Sequence, residues 1–218
     1  MERKLFVNTK DESPRMFESD FLDFFSRIPY WVPPIIFVPV IVFFAVKSLG
    51  FFGGVNVGIG ATIGVFIAGL LFWSIAEYII HRFVFHFHPK SEFMKKLHFM
   101  FHGVHHDYPQ DSLRLVMPPA VSITLAFIFY GLFYLAIGLA MGTPQYIPAF
   151  FSGFVFGYLF YDMMHYASHH VNMKNKYFQM IKEHHMKHHY QEPDAGFGFT
   201  SKIWDRVFKT DFDHKNKK

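Results

Sequence analysis

Ten histidines fall into four short groups whose spacing suits metal ligation. HRFVFH supplies His81 and His86, HGVHH supplies His102, His105 and His106, HYASH supplies His165 and His169, and HMKHH supplies His185, His188 and His189. Positions i, i+3 and i+4 share one face of a helix. Each HxxHH triplet can therefore point into one site, and so can His165 with His169. His81 and His86 are five apart, which predicts a helix end or a bend between them. The HxxHH pattern occurs twice, which predicts a site of approximate two-fold character. Ten imidazoles are too many for one ion, so two ions with about five ligands each are expected, and imidazole suits Zn, Cu, Fe or Ni. Cysteine is absent, which excludes a thiolate-ligated site and a disulfide framework. His88, His98, His170, His184 and His214 break the spacing and are expected outside the ligand set. Glu77 lies four residues before His81, and Asp162 three before His165. Metal-bound imidazoles donate their second N–H to a carboxylate or carbonyl, so both acids are expected to support ligand histidines.

These groups are spaced by apolar runs. Of 218 residues, 51% are hydrophobic and 31 are Phe, too apolar for an ordinary soluble domain of this length. Ile28–Val46 and Ser48–Ala76 carry no charge, with Gly50, Gly53, Gly54 and Asn56 between the apolar stretches; Leu115–Tyr161 is a third charge-free run, broken by Gly142, Pro144 and Pro148. A membrane-crossing helix needs about 20 apolar residues. The pattern predicts four spans, about 30–49, 57–80, 119–140 and 146–163. The N-terminal MERKLF has no adjoining apolar core and does not read as a secretory signal.

Lys and Arg number five in residues 1–27, five in 81–118 and ten in 164–218, leaving only Lys47 elsewhere. Four spans place those three basic segments on one side, which the positive-inside rule makes cytoplasmic. No histidine precedes residue 81, so every histidine falls on that same face. The expected fold is all-α. A four-helix membrane anchor would carry a cytosolic cap of short helices (81–118 and 164–210), the whole forming one domain over 1–218. The first 20 residues and the tail HKNKK (214–218) are expected to be mobile.

With these residues in place, the sequence resembles the membrane fatty acid hydroxylase superfamily, and within it the fatty acid (sphingolipid) 2-hydroxylases. The stretches that carry the resemblance are HRFVFHFHP (81–89), HGVHHDYPQD (102–111), RLVMPP (114–119), DMMHYASHH (162–170) and HMKHHYQEPDAGFGFTSKIWDRVF (185–208). The histidine motif alone is shared with sterol desaturases and carotenoid hydroxylases; RLVMPP and GFGFTSKIWDRVF favour the 2-hydroxylase branch. The resemblance implies that the ten histidines above are the metal ligands, with no organic cofactor. It also implies hydroxylation at C2 of a fatty acyl chain, free or in ceramide, with sterol or carotenoid oxidation as the alternative.

Breaking an unactivated C–H bond with O2 requires a redox-active metal. Zinc has no accessible redox chemistry, so two iron ions are expected in the working enzyme, although zinc could fill the same site. Many eukaryotic relatives carry an N-terminal cytochrome b5 domain, and nothing in these residues resembles it. A separate cytochrome b5-like protein or ferredoxin is therefore expected to supply electrons. The remaining partners are O2, the lipid substrate and the membrane, with no nucleic acid. The expected location is a bacterial inner membrane, or the endoplasmic reticulum in a eukaryote, with the active site facing the cytoplasm.

Overall fold

The computed structural model describes residues 7–215, with side chains through 213. Among them the regular structure is helical, apart from an isolated bridge between Leu49 and Asn56. In chain order the α-helices are α1 (Asp20–Phe25), α2 (Val32–Lys47), α3 (Ile59–Ile79), α4 (Glu92–His98), α5 (Val104–Asp107), α6 (Pro119–Phe133), α7 (Ile147–His170), α8 (Lys176–Tyr190), α9 (Ile203–Val207) and α10 (Phe212–Lys215). Three π-helical turns join this series: Ile80–Phe85 after α3, Phe99–Gly103 between α4 and α5, and Tyr134–Ala140 after α6.

The local signals are conventional. Pro33 and Pro119 start α2 and α6 at positions where a missing N–H costs nothing. Ser91 Oγ accepts from Met94 N at the start of α4, and Asn175 Oδ1 accepts from Tyr177 N at the start of α8. Gly50, at φ 95°, reverses the chain between α2 and α3 in the left-handed region that favours glycine.

Three helices are long and apolar enough to cross a membrane: Ile59–Phe85, Pro119–Ala140 and Pro144–His170. Val32–Lys47 is apolar but has 16 residues, spanning roughly 24 Å at 1.5 Å per residue. The span expected at 119–140 matches its helix. Those expected at 57–80 and 146–163 run further, through Phe85 and His170. Both extensions carry histidines, so polarity marked the end of the apolar stretch and not the end of the helix.

The chain forms two compact units: residues 1–30, 75–116 and 163–218 in one, and residues 31–74 and 117–162 in the other. The second unit is an aromatic helix bundle centred on α7. Of the long helices, the one through α7 is mostly enclosed (72% of its apolar window buried, against 22% and 11% for the other two). Phe44 and Tyr130 meet Phe151 edge-on at 4.9 and 5.1 Å, and Phe133 meets Phe154 at 5.0 Å. Two buried polar clamps tie helices together: Ser152 Oγ donates to the Ile41 carbonyl, and Ser48 Oγ bonds Thr62 Oγ1, each at 3.0 Å. The backbones of α3 and α7 are in near contact. A Cβ on Gly69 would strike the Phe150 carbonyl, and one on Gly153 the Phe66 carbonyl. Small residues permit this approach, which suits association in a medium that offers no hydrophobic driving force between helices.

In the first unit, residues 7–19 are pinned, contrary to the mobility expected of the N-terminus. Asn8 N donates to the Asp107 carbonyl, Ser13 Oγ bonds Asp111, and Arg114 reaches the Pro14 carbonyl. Asp23 is the hub: it accepts from Met16 N and pairs with Arg27 and Arg114. The Met16 bond, ahead of the two guanidinium groups, holds its carboxyl below the usual range. Composition hid this, because the order comes from one buried carboxylate and not from an apolar run. Residues 1–6 and 216–218 lie outside the described residues, so most of the expected mobile tail does too.

Gly153→Val is expected to force α3 and α7 apart at a cost on the order of 1–3 kcal/mol or more. Thermal unfolding in detergent should show a lowered midpoint, whereas Gly131→Ala, where a Cβ meets nothing within 4 Å, should leave it near wild type.

Candidate metal centre

The first site histidines owe their arrangement to a π-helical turn. His86 N donates to the His81 carbonyl at 3.1 Å, an i→i+5 bond. The wider turn brings residues five apart onto one side, and the two rings stand 4.9 Å apart. The expected bend is thus an expanded last turn of the helix that begins with α3. His102 lies in a second π-helical turn, with His105 and His106 following on α5. His165 and His169 lie on the last turns of α7, and His185, His188 and His189 on α8.

The ten rings gather into two clusters. His105, His165, His169, His185 and His189 each offer one ring nitrogen, all within 4.8 Å of one another, and His81, His86, His102 and His188 do the same. His106 Nε2 lies 3.1 Å from His102 Nε2 and 3.2 Å from His86 Nε2, which adds it to the second cluster. The HxxHH triplets therefore do not each serve one site. Each is divided: i and i+4 (His102 and His106, or His185 and His189) enter one cluster, and i+3 (His105 or His188) enters the other. At about 100° of rotation per residue, adjacent positions i+3 and i+4 diverge around the helix axis, and two neighbouring sites accommodate that divergence. The exchange between the two triplets is reciprocal.

Backbone carbonyls fix the orientation of three rings. Nδ1 of His81 faces the Phe197 carbonyl at 2.7 Å, Nδ1 of His188 the Ala195 carbonyl at 2.8 Å, and Nδ1 of His165 the Leu115 carbonyl at 2.9 Å. A carbonyl only accepts, so Nδ1 carries the proton and Nε2 presents a lone pair inward. Glu77 and Asp162, expected to accept from histidines, make other bonds. Glu77 accepts from Phe199 N, Thr200 N and the Thr200 hydroxyl, pinning the loop whose Phe197 carbonyl braces His81. Asp162 accepts from Met117 N and the Tyr158 hydroxyl.

The residue that sequence reasoning missed is Asp205. It is fully buried and accepts from Phe197 N, Gly198 N, the Thr210 hydroxyl and His184 Nε2. Asp205 and Glu77 together hold residues 195–200, which supply two of the three ring-orienting carbonyls. The only available signal was an acid in the short IWDRV helix, which carries no ligand spacing. Arg114 and Asp23 similarly hold the turn that presents the Leu115 carbonyl.

The other histidines stay apart from the clusters. His184 pairs with Asp205, His170 stacks on Tyr166 at 4.8 Å, His98 packs against Phe87, and His88 is exposed. The His214 side chain lies outside the described residues.

The donor set fits cations. Burial, followed by the neighbouring rings, holds His102, His105, His185 and His189 well below the ordinary imidazole pKa; it lowers His86 and His188 in the same way. The rings are therefore neutral at physiological pH. Nitrogens face each other at 2.8 Å (His165–His105), 3.0 Å (His169–His185 and His188–His86) and 3.2 Å (His81–His102). With Nδ1 of His81, His165 and His188 protonated toward carbonyls, their Nε2 atoms face other ring nitrogens as lone pairs, and among the described residues the buried Nδ1 atoms of His105, His169 and His189 have no hydrogen-bond partner. The two clusters could hold metal ions, since neutral imidazole is the ligand form.

The described residues combine three helices long and apolar enough to cross a membrane with two histidine clusters that could hold metal ions. The fatty acid hydroxylase family model matches residues 66–210, and the chain belongs to that family. A dihydroceramide fatty acyl 2-hydroxylase of Arabidopsis thaliana is 40% identical over 200 residues, covering 91% of this chain and 80% of the relative. The fatty acid 2-hydroxylase of Mus musculus is 36% identical, covering 90% of this chain and 56% of that protein. The chain thus spans about half the length of the mammalian relative. A solved structure of full-length scs7p, with only the hydroxylase domain visible, superimposes with a TM-score of 0.80 at 35% identity, covering 88% of this chain and 70% of that one.

Asp205→Asn should loosen residues 195–200 and release the rings they orient. The His81/His86/His102/His106/His188 cluster is expected to lose roughly 10–100-fold in metal affinity, while the other cluster keeps its ion. Metal analysis after dialysis should fall from two ions per chain towards one; an unchanged count would show that the loop does not support the site.

Proposed function

We propose that this chain is an O2-dependent fatty acyl 2-hydroxylase, converting an acyl C2–H to C2–OH in a free or sphingolipid-linked fatty acid. One oxygen atom enters the C–H bond and the other leaves as water, with uptake of two electrons and two protons. The observation that carries this reading is the pair of all-imidazole clusters in a chain whose relatives of 35–40% identity are named as hydroxylases of fatty acids, dihydroceramide fatty acyl groups or ceramide. The sterol and carotenoid alternative has no such relative behind it.

His105, His165, His169, His185 and His189 would hold one ion, and His81, His86, His102, His106 and His188 the other. Iron is the proposed working metal, because it supplies the redox chemistry with O2 that zinc lacks. The protein's own contribution is positional. Three carbonyls fix ring tautomers, Asp205 and Glu77 fix two of those carbonyls, and burial keeps the rings neutral and the centre dry. Such pre-orientation removes reorganisation from the reaction.

The same reading makes 1–218 one hydroxylase domain with four crossings, the shorter Val32–Lys47 helix serving as the first. The Lys and Arg bias favours a cytoplasmic histidine face, and electrons would come from a cytochrome b5-like or ferredoxin-like donor.

Lipid mass spectrometry of cells with and without the protein should reveal 2-hydroxy acyl chains only on expression. His105→Ala and His188→Ala, one in each cluster, should each reduce them to background while the protein remains in the membrane fraction. Full activity in either variant, or an oxidised ring product in place of a 2-hydroxy acid, would overturn the assignment.

A further inference from the structure

Helix α1 is built inside out for a chain in water. Its one buried residue is the acid Asp23, 7% exposed, while Phe21, Leu22, Phe24 and Phe25 are all more than half exposed. At about 100° of rotation per residue, the four apolar side chains cover an arc of about 160°, and Asp23 lies opposite its centre. The rings form one patch, with Phe25 4.7 Å from Phe21 and 5.3 Å from Phe24. An amphipathic helix on a protein in water turns its charged side outward; here the apolar side faces out.

The charged side is anchored. Asp23 accepts from Met16 N and pairs with Arg27 and Arg114. Arg114 immediately precedes Leu115, whose carbonyl orients His165. Helix α1 is thus mounted on the segment that braces a cluster histidine, with its apolar patch outward. The cations beside it are already paired, Arg15 with Asp20 and Arg27 with Asp23. What the patch meets is therefore recognised by apolar contact and not by charge. Five residues, 26–30, separate Phe25 from Trp31, the residue that precedes α2. They leave at most roughly 20 Å of chain. Tyr30 and Trp31 are themselves 48% and 52% exposed, and Tyr and Trp concentrate where a span enters the headgroups.

We infer that α1 is a membrane-surface anchor, with the rings of Phe21, Phe24 and Phe25 seated between the headgroups and acyl chains of the leaflet that α2 enters. This rests on the reading of α2 as a crossing helix. Continuity with that crossing favours lipid over a second copy of the chain, and the paired charges make anionic lipid unnecessary. Interfacial helices bury their apolar side about 5–10 Å into this boundary. Seated so, α1 sets the height of the His165-bracing turn against the leaflet through Asp23 and Arg114.

The test uses the metal-loaded full chain in nanodiscs of zwitterionic phosphatidylcholine. The chain contains no cysteine, so Phe21→Cys, Phe24→Cys and Phe25→Cys each accept a single nitroxide label. Power-saturation EPR then compares collisions with O2, which partitions into lipid, and with a water-soluble nickel chelate. Phe127→Cys, 74% exposed on a membrane-length helix, is the lipid reference, and Lys10→Cys, on an exposed segment, is the water reference. All three α1 labels should give the O2-rich collision ratio of the lipid reference. Val38→Cys on α2 reports the crossing separately. Nickel access at α1 with Val38 in lipid would overturn the anchor alone, whereas nickel access at both would also remove the α2 crossing. Dipolar broadening of the α1 labels that vanishes on dilution with unlabelled chain would assign the patch to a second copy and overturn the proposal.

Discussion

The structure depends on keeping a dense group of imidazoles neutral, buried and correctly oriented. A free imidazole in water gains a proton near neutrality and rotates freely. Here burial removes the first possibility and backbone carbonyls remove the second for His81, His165 and His188. Once Nδ1 is committed to a carbonyl, Nε2 must face inward as an acceptor. The remaining architecture supplies those carbonyls. Asp205 and Glu77 hold one loop, and the Asp23–Arg114 pair holds the turn before Leu115. A buried carboxylate with several N–H donors is well suited to this task, because it fixes the backbone from outside the histidine clusters.

Helical geometry explains how four separated segments supply two clusters. Adjacent residues on a helix diverge by about 100°, so His105 and His106, or His188 and His189, cannot serve the same ion easily. Two neighbouring clusters turn that divergence into a division of labour. The expanded turn at Ile80–Phe85 does the converse for His81 and His86, aligning residues that an α-helix would hold apart. π-Helical turns are uncommon and concentrate at functional positions; this one brings His81 and His86 into one cluster.

Much of this was legible in the sequence. Ten histidines at ligand spacing named the rings that converge, and charge-free runs located the apolar helices within a few residues at most ends. The misreadings have a common origin. Apolarity showed where a helix is greasy and not where it stops, so the helices bearing His81 and His165 were drawn too short. Spacing showed that His102, His105 and His106 share one broad face, but not that the face divides between two clusters. The supporting residues were the least visible. Asp205 has no motif, and Glu77 and Asp162, chosen for proximity in sequence, bond to backbone N–H and hydroxyl groups. Their contacts are long-range in the chain, with Glu77 reaching 122 residues to Phe199, and local pattern carries no information about them. The order in residues 7–19 was hidden for the same reason.

The most direct measurement is the metal count of the purified chain combined with X-ray absorption at the metal edge. Two ions per chain with a first shell dominated by imidazole nitrogen is the predicted result. One ion or none after loading, or a shell dominated by carboxylate oxygen or sulfur, would contradict the two-cluster account.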